Sequence, residues 1–415
     1  MAHESGKYAN LEGLRGLAAL IVVVLHFVCA YTPFLIGLEV TTRHTPLDRT
    51  IAGSPLMLFF AGGFSVCIFF VLSGFVLSNS FFKRKTHSVL VSSSVRRYFR
   101  LMIPALGSIL LAYVVLRAGA MPVQQTAQLT ESFRWLGGSH WQFIPSLPEA
   151  LYQGLYGVFF TGFVSYNPVL WTMQLELYGS FIVFMFLALF GKLQRRWIFY
   201  ILLALITMKT YYLAFVLGMV LCDIWVNHPE LIERVRKPIL AGLLGVALVI
   251  GSWRYGSIYP HYYDSLQVPL FTTPEFITFA NILAALVVVF AVLRLNLVSR
   301  FFETKPLQFL GKISFSLYLT HFIVMGSFAS ILFNMLMPRY GYGTSILLMA
   351  LPTICVTFLI AILYTRYVDQ PSIRWSKNIG NWLMGPGKNP QEPGPSTITA
   401  IDLQPLARKP VVETE

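Results

Sequence analysis

The sequence predicts an all-α, polytopic membrane protein with about ten transmembrane helices, and three observations lead to this class. Of the 415 residues, 56% are hydrophobic and only 12% are charged, which is about half of the charge that a soluble domain carries. Apolar runs of about 20 residues recur along the chain, and this is the length needed to cross a bilayer. The runs are continuous rather than alternating, so helices, not the strands of a barrel, are expected to satisfy the backbone in lipid.

Ten apolar segments are the predicted spans. They cover residues 14–34, 56–79, 98–117, 170–190, 196–208, 210–227, 237–253, 274–294, 312–335 and 344–367. The fifth and sixth spans are the least regular, because the fifth is short and Lys209 lies between the two. The first is interpreted as a retained span rather than a cleaved secretory signal, because it is long and nine further spans follow it.

The distribution of positive charge predicts the orientation. With the N-terminus in the cytoplasm, the cytoplasmic side receives 24 of the 31 Lys and Arg residues, as the positive-inside rule requires. The net charge of +13 is therefore a topology signal and an affinity for an anionic membrane surface. No nucleic-acid partner is expected, because no basic patch lies in a soluble module.

Three regions follow from this pattern. Residues 1–13 form a cytoplasmic N-terminal segment, 14–375 form the membrane domain, and 376–415 form a cytoplasmic tail whose Pro, Gly and polar residues predict disorder. The long outward loop, 118–169, has an apolar second half, but a span there would move the later basic loops outside. An interfacial or re-entrant helix is expected instead.

The first span contains the pair that most strongly suggests chemistry. Arg15 and His26 are eleven helical steps apart, or about 16 Å, which is about half the thickness of the hydrocarbon core. Arg15 is therefore expected at the cytoplasmic face and His26 near the midplane. A neutral imidazole there can accept a proton from a hydroxyl. The alternatives are a histidine that bonds a neighbouring helix and an arginine that only anchors the span.

Two motifs flank the next cytoplasmic loop. In "VRRYFRLMIP", Arg97 and Arg100 are three residues apart and share one helical face. Such a pair can grip phosphates, although ordinary positive-inside anchoring explains it as well. In "FFVLSGFVLS", Ser73 and Gly74 are small residues in an apolar helix, which indicates close helix packing.

Later spans supply three more ionisable residues. Glu176 lies within the fourth span and could orient His26, hold a substrate hydroxyl or pair with an arginine. His321 lies near mid-depth of the ninth span, so two midplane histidines are expected on different spans. Asp223 is close to the cytoplasmic end of the sixth span and could simply be solvated.

Missing motifs exclude other classes. The chain has no P-loop, no dinucleotide-binding fingerprint, no HExxH motif and no GxSxG elbow. The four cysteines are scattered, with no CxxC or Cys/His cluster, so neither a disulfide framework nor a metal site is predicted.

The motifs together resemble acyltransferase family 3. The resemblance rests on "LEGLRGLAALIVVVLHF", "FFVLSGFVLS", "RRYFRLMIP", "LWTMQLELY", "KISFSLYLTH" and "YTRYVDQP", in this order over residues 11–375. It implies a ten-helix enzyme, similar to fungal members, that moves an acyl group, usually acetyl, from cytoplasmic acyl-CoA to a hydroxyl. The implied acceptor is a secondary metabolite or another small molecule, or a glycan.

The resemblance also implies roles for residues. His26 would be the catalytic base, Arg15 would belong to the same element, and Arg97 and Arg100 would contact the CoA phosphates. Glu176 matches the acid of the family's Trp-to-Glu motif, although Thr172 stands where the family often has Ser. Asp369 stands where many members have Glu, so no role is assigned to it.

The leading hypothesis is a membrane O-acyltransferase with His26, Glu176 and His321 as catalytic candidates and Arg15, Arg97 and Arg100 as the donor site. Acyl-CoA, most simply acetyl-CoA, is a co-substrate, and no tightly bound cofactor is expected. The alternatives are a proton-coupled transporter, because midplane His and Glu residues also serve proton relays, and a catalytically silent scaffold. The acceptor, the acyl length, the membrane and the oligomeric state are left open.

Overall fold

The structure is a computed structural model that describes residues 8–38, 46–138, 141–253 and 269–384. All regular structure in these ranges is helical. Seven helical segments are long and apolar enough to cross a membrane: Ala9–Tyr31, Gly62–Arg84, His87–Arg117, Pro168–Phe190, Thr273–Arg294, Lys305–Tyr340 and Tyr342–Met384. The all-α polytopic class is confirmed. The other three predicted spans coincide with shorter apolar helices, so the count of ten stays a prediction.

The helices are numbered here in chain order. They are α1 (Ala9–Tyr31), α2 (Pro46–Ala52), α3 (Gly62–Arg84), α4 (His87–Arg117), α5 (Val123–Thr130), α6 (Leu147–Tyr152), α7 (Val158–Phe160), α8 (Trp171–Phe190), α9 (Trp197–Thr207), α10 (Tyr212–Asn227), α11 (Pro229–Arg234), α12 (Lys237–Gly251), α13 (Thr273–Arg294), α14 (Asn296–Phe302), α15 (Lys305–Val324), α16 (Ser330–Tyr340), α17 (Tyr342–Tyr364) and α18 (Gln370–Met384). Single π-helical turns join α6 to α7, α15 to α16 and α17 to α18 without a break.

The packing of α1 along α15 positions the site. A Cβ added at Gly16 would overlap the backbone of Gly311, and one at Gly311 would overlap the carbonyl of Glu12. Glycine therefore allows the two backbones to touch. The helices run in parallel, with His26 ten residues beyond Gly16 and His321 ten residues beyond Gly311. Because both helices rise equally per residue, the two histidines reach the same depth.

A second close contact joins α3 to α10. A Cβ at Gly74 would overlap the carbonyl of Phe215, and one at Gly218 would overlap the carbonyl of Val71. The close packing that the sequence predicts at Ser73 and Gly74 is thus present. Helix α3 also packs against α13, α1 and α8.

The predicted outward loop contains short helices. The helical stretch from α6 to α7, Leu147–Phe160, is about 21 Å long, which is shorter than the roughly 30 Å hydrocarbon core. It is not among the segments able to cross a membrane.

The predicted start of the disordered tail, residue 376, is too early. Residues 376–384 belong to α18, which ends at Met384. Ser372, Ser376 and Gly380 recur every four residues and are buried, and α18 packs against α4. This small-residue face orders a segment whose composition alone predicts disorder. The rest of the predicted tail, 385–415, lies outside the described residues.

Candidate active site

The two midplane histidines form a hydrogen-bonded pair. Nδ1 of His26 lies 2.7 Å from Nε2 of His321, and the two ring planes are within 6° of each other. His321 is buried and His26 is half-buried. The residues come from helices that are 295 positions apart in sequence, and the glycine contact between α1 and α15 holds them in register.

A backbone carbonyl determines which nitrogen of each ring carries the proton. Nδ1 of His321 lies 2.9 Å from the carbonyl oxygen of Leu317, which can only accept. In the neutral pair, Nδ1 of His321 therefore donates to Leu317, and its Nε2 accepts from Nδ1–H of His26. This assignment leaves the lone pair of His26 on Nε2, as a general base requires.

Aromatic side chains cover the pair on the predicted outward side. The rings of Phe322 and Trp135 lie 5.4 and 5.5 Å from the ring of His26, measured between centroids. Trp141 lies behind Phe322, and its indole N–H donates to the carbonyl of Tyr166. Trp141 has a left-handed backbone, with φ of 58°, which costs a bulky residue about 1–3 kcal/mol. The loop therefore holds this cover in place against local strain.

The other predicted site residues surround one cavity. It has a volume of about 280 Å³, and Arg15, Arg97, Arg100 and Glu176 all line it. Its lining residues come from α1, α3, α4, α8 and α15, and Arg15 and Arg100, which are partly exposed, lie toward the predicted cytoplasmic side. The structure thus divides the six predicted residues into a histidine pair and a separate charged cavity.

Glu176 is fully engaged in the wall of this cavity. Its Oε2 lies 2.5 Å from Nη2 of Arg97, and its Oε1 accepts from the hydroxyl of Ser73 at 2.8 Å. Nε of Arg97 donates in turn to Ser180 at 2.7 Å. Among the three uses that the sequence leaves open for Glu176, the described contacts match pairing with an arginine. Its contacts are with Arg97 and Ser73 rather than with the histidine pair.

The other two arginines lie nearer the mouth. Nη1 of Arg100 is 2.7 Å from Asp369 and 3.0 Å from the hydroxyl of Ser372. Asp369 is the last residue of the π-helical turn before α18, and its partner Arg100 belongs to α4. Arg15 pairs with Glu12 at 3.1 Å on the same helix, and such a half-exposed pair is weak. Arg15 and Arg100 therefore keep donors available for an anion.

A buried contact separates the charged cavity from the histidine pair. The hydroxyl of Tyr318 lies 2.8 Å from that of Thr172 and also donates to the carbonyl of Val169. Tyr318 and Thr172 both line the cavity. His321 follows Tyr318 by three residues, or about 4.5 Å along α15, so a molecule that reaches this end of the cavity is one helical turn from the histidines.

Asp223 is not among the residues that line the charged cavity and lies in a separate buried cluster of hydrogen bonds. It accepts from Arg196, Tyr200 and Asn227 at 2.5 to 3.0 Å and is buried. It is therefore a structural cross-link rather than a solvated residue. The part of the chain that the structure describes contains no cluster of His, Cys, Asp and Glu able to hold a metal.

Sequence reasoning missed several residues of the site. Ser180 and Tyr318 contribute contacts, yet neither stands out in an apolar run as a histidine or arginine does, and Asp369 was noted but given no role. The one available signal was the position of Asp369 in "YTRYVDQP".

A family model described as an acyltransferase domain, Acyl_transf_3, matches residues 8–366. The chain belongs to acyltransferase family 3. It is similar to acyltransferase clz18 of Cochliobolus lunatus, with 25% identity over 88% of this chain and 93% of that protein. It is also similar to acyltransferase R4 of a Phoma species (25% identity, 80% of this chain, 86% of that protein). A third relative is O-acetyltransferase PaAT-1 of Phomopsis amygdali (25% identity, 88% of this chain, 83% of that protein). No solved structure matches the chain.

The membership of acyltransferase family 3 that the sequence motifs indicate is thus confirmed. The chain is an acyltransferase with the character of a multi-pass membrane protein. Family membership favours the enzyme over the transporter and the scaffold.

Proposed function

We propose that this acyltransferase moves an acetyl group from acetyl-CoA to a hydroxyl of a secondary metabolite or a glycan, with His26 as the general base. The observation that carries the proposal is the hydrogen bond between His26 and His321, because it directs the lone pair of His26 to Nε2. The similarity to PaAT-1, which is named an O-acetyltransferase, supports an acetyl group and an oxygen acceptor.

In the proposed reaction, Nε2 of His26 takes the proton of the acceptor hydroxyl as its oxygen attacks the thioester carbon. The C–O bond forms, the C–S bond breaks, and the imidazolium returns the proton to the departing CoA thiolate. His321 accepts the Nδ1–H of His26 throughout, so it stabilises the imidazolium without touching the substrate. We therefore assign His321 as a positioning residue, and His26 as the catalytic residue.

The charged cavity is the proposed donor site. Arg15 and Arg100 are half-exposed near the mouth and bind the CoA phosphates. Arg97 is compensated by Glu176 and forms the inner polar wall, where the uncharged pantetheine arm passes. Glu176 keeps Arg97 in place, since an unpaired buried arginine would cost about 3–5 kcal/mol. The thioester then reaches Tyr318, one turn from the histidine pair. Acetyl-CoA is a co-substrate, and both chain termini lie in the cytoplasm.

Replacing His26 tests this assignment. The His26→Ala variant should be produced and inserted normally but should lose acetyl-CoA-dependent release of free CoA thiol by at least about 100-fold, the contribution of a general base. His228→Ala is the matched control, because His228 lies on the surface beside Glu230.

The acceptor is identified by mass spectrometry of metabolites and glycans from the native host. Three strains are compared: intact, deleted, and deleted but complemented with His26→Ala. One product should lose an acetyl group in the last two strains. A normal product from the His26→Ala strain would overturn the assignment of the base, and vesicle uptake that is indifferent to acyl-CoA would favour a transporter.

A further inference from the structure

The charged cavity has one end whose lining carries no charge. Along α3, the residues that line the cavity extend from Leu77 to Val66, or about 16 Å. Ser73, near the middle of this length, contacts Glu176, and beyond Ser73 the α3 residues that line the cavity have only apolar side chains. We call this part the inner end and define it by five lining residues: Val66, Phe69, Phe70, Thr172 and Tyr318.

Contacts between α3, α8 and α15 assemble the inner end. The ring of Tyr318 lies 6.4 Å from the ring of Phe69, measured between centroids. The hydroxyl of Tyr318 donates to the carbonyl of Val169 and lies 2.8 Å from the hydroxyl of Thr172. Because a tyrosine hydroxyl has one proton, it accepts from Thr172. The ring of Tyr318 is therefore held by two hydrogen bonds and cannot move aside without breaking them.

Buried side chains close the inner end. Four of its five lining residues are between 1% and 7% exposed: Val66, Phe70, Thr172 and Tyr318. The fifth, Phe69, is half-buried. Elsewhere in the cavity wall, Val76 is 46% exposed, and the side chains of Arg15 and Arg100 are partly exposed. A donor therefore enters beside the arginines, and its leading group stops at the inner end.

Tyr318 also brings the inner end next to the histidine pair. Its ring lies 6.2 Å from the ring of His321, measured between centroids, and His321 bonds His26. In the proposed reaction, the acceptor oxygen stands between the base and the thioester carbon, at about 3 Å from each. The thioester carbon therefore belongs at the inner end, and its acyl substituent has to fit against Tyr318.

We propose that the inner end is the acyl pocket and that Tyr318 is the specificity-determining residue that limits the acyl group to a short chain. A longer chain, such as hexanoyl, would have to displace the ring of Tyr318 from its two hydrogen bonds or stay outside the inner end. The inference rests on the proposed function and deepens it, because it gives the preference for acetyl-CoA a structural basis.

Equilibrium binding of acyl-CoAs tests the length limit without the acceptor. The full-length protein in nanodiscs is titrated with acetyl-CoA, hexanoyl-CoA and free CoA, and binding is followed by isothermal titration calorimetry. Empty nanodiscs control for partition of the hexanoyl chain into lipid. The wild type should bind hexanoyl-CoA at least about tenfold more weakly than acetyl-CoA, because a single methylene in a fitted apolar pocket is worth about 10- to 200-fold.

Removing the ring of Tyr318 should remove this discrimination. In Tyr318→Ala, acetyl-CoA and hexanoyl-CoA should bind about equally, because the hexanoyl chain occupies the space that the ring leaves. Tyr318→Phe keeps the ring and should keep the preference for acetyl-CoA. Phe69→Ala enlarges the same end of the cavity without touching the hydrogen bonds of Tyr318. It should also reduce the preference, and it tests the pocket even if Tyr318→Ala does not fold.

Phe315→Ala is the matched control. Phe315 lines the same cavity on the same helix, three residues before Tyr318. It lies at the charged part of the wall, because the guanidinium of Arg100 is 5.3 Å from the centroid of its ring. Phe315→Ala removes an aromatic ring as Tyr318→Ala does, but it should weaken the binding of both acyl-CoAs equally and leave the ratio of their dissociation constants unchanged.

The outcomes separate the length limit from the proposed function. Hexanoyl-CoA that binds the wild type as tightly as acetyl-CoA, or a ratio that is unchanged in both Tyr318→Ala and Phe69→Ala, would overturn the acyl pocket and leave the donor site in place. A wild type that binds neither acyl-CoA nor free CoA would overturn the donor site and the pocket with it. Binding needs no base, so His26→Ala should show the wild-type ratio whether or not it is active.

Discussion

The role of His321 depends on the atom that it presents to His26. Because Leu317 holds the proton on Nδ1 of His321, its Nε2 can only accept. His321→Leu removes this acceptor, and kcat should fall about 100-fold while KM for acetyl-CoA stays unchanged. His321→Gln, whose amide oxygen can also accept, should recover part of the loss. Steady-state kinetics distinguish this result from a structural role, in which both variants would lose activity in proportion to their unfolding.

We expect Asp369 to position Arg100 in the wall of the charged cavity. Asp369→Asn should raise KM for acetyl-CoA several-fold with little change in kcat, because Arg100 loses the carboxylate that orients it. Asp369→Glu should restore KM. Asp223→Asn is the matched control, since it breaks the similar pair with Arg196 far from the cavity and should lower thermal stability without changing KM. A KM that is equal in Asp369→Asn and the wild type would contradict this role.

Individual residues of the candidate site could be predicted from the sequence only where an ionisable side chain interrupts an apolar run. His26, His321 and Arg97 stand out because ionisable groups in apolar runs are costly. The bond between the histidines was not predictable, because its partners are 295 positions apart and no periodicity links them. The pairing of Glu176 with Arg97 was one of three open uses, and only the packing of α4 against α8 selects it.

At the scale of helices, the contact between Gly16 and Gly311 determines whether the histidines meet. Gly311→Ala adds a Cβ that overlaps the carbonyl of Glu12, so α1 and α15 must separate, and kcat should fall at least about tenfold as the 2.7 Å bond is lost. Gly218→Ala is the control, because it forces α10 from α3 by a similar overlap with Val71. Both variants should lose about 1–3 kcal/mol of stability. Equal kcat in the two would contradict the register argument.

Hydropathy predicted the interiors of the helices better than their ends. The third predicted span begins at residue 98, but α4 begins at His87, because its first three turns or so are largely polar and an apolar window does not detect them. In the same way, α18 continues to Met384 on a face of small residues. Ends are determined by local packing, which a single sequence does not contain.

At the scale of the whole molecule, α3 separates the charged cavity from a second cavity of about 290 Å³ that residues of α1, α3, α12 and α13 line. Arg15, Arg97 and Arg100 line the charged cavity, whereas no charged residue is among the described residues that line the second cavity. The sequence predicted Arg15, Arg97 and Arg100 as a donor site, and the structure places all three on one cavity. The sequence could not predict the second cavity, because the residues that line it come from α1, α3, α12 and α13, which are distant in sequence.

The orientation in the membrane is the remaining prediction at this scale. Phe133, in the predicted outward loop, and Leu297, in α14 on the predicted cytoplasmic side, are 54% and 83% exposed. In intact cells, a membrane-impermeant maleimide should label Phe133→Cys at once and Leu297→Cys only after permeabilisation, because 24 of 31 basic residues favour this orientation. The wild type, whose Cys29, Cys67 and Cys222 are buried and whose Cys355 is exposed, controls for background labelling. Labelling of Leu297→Cys in intact cells would show that the orientation is the reverse of the predicted one. The charged cavity would then face away from cytoplasmic acetyl-CoA.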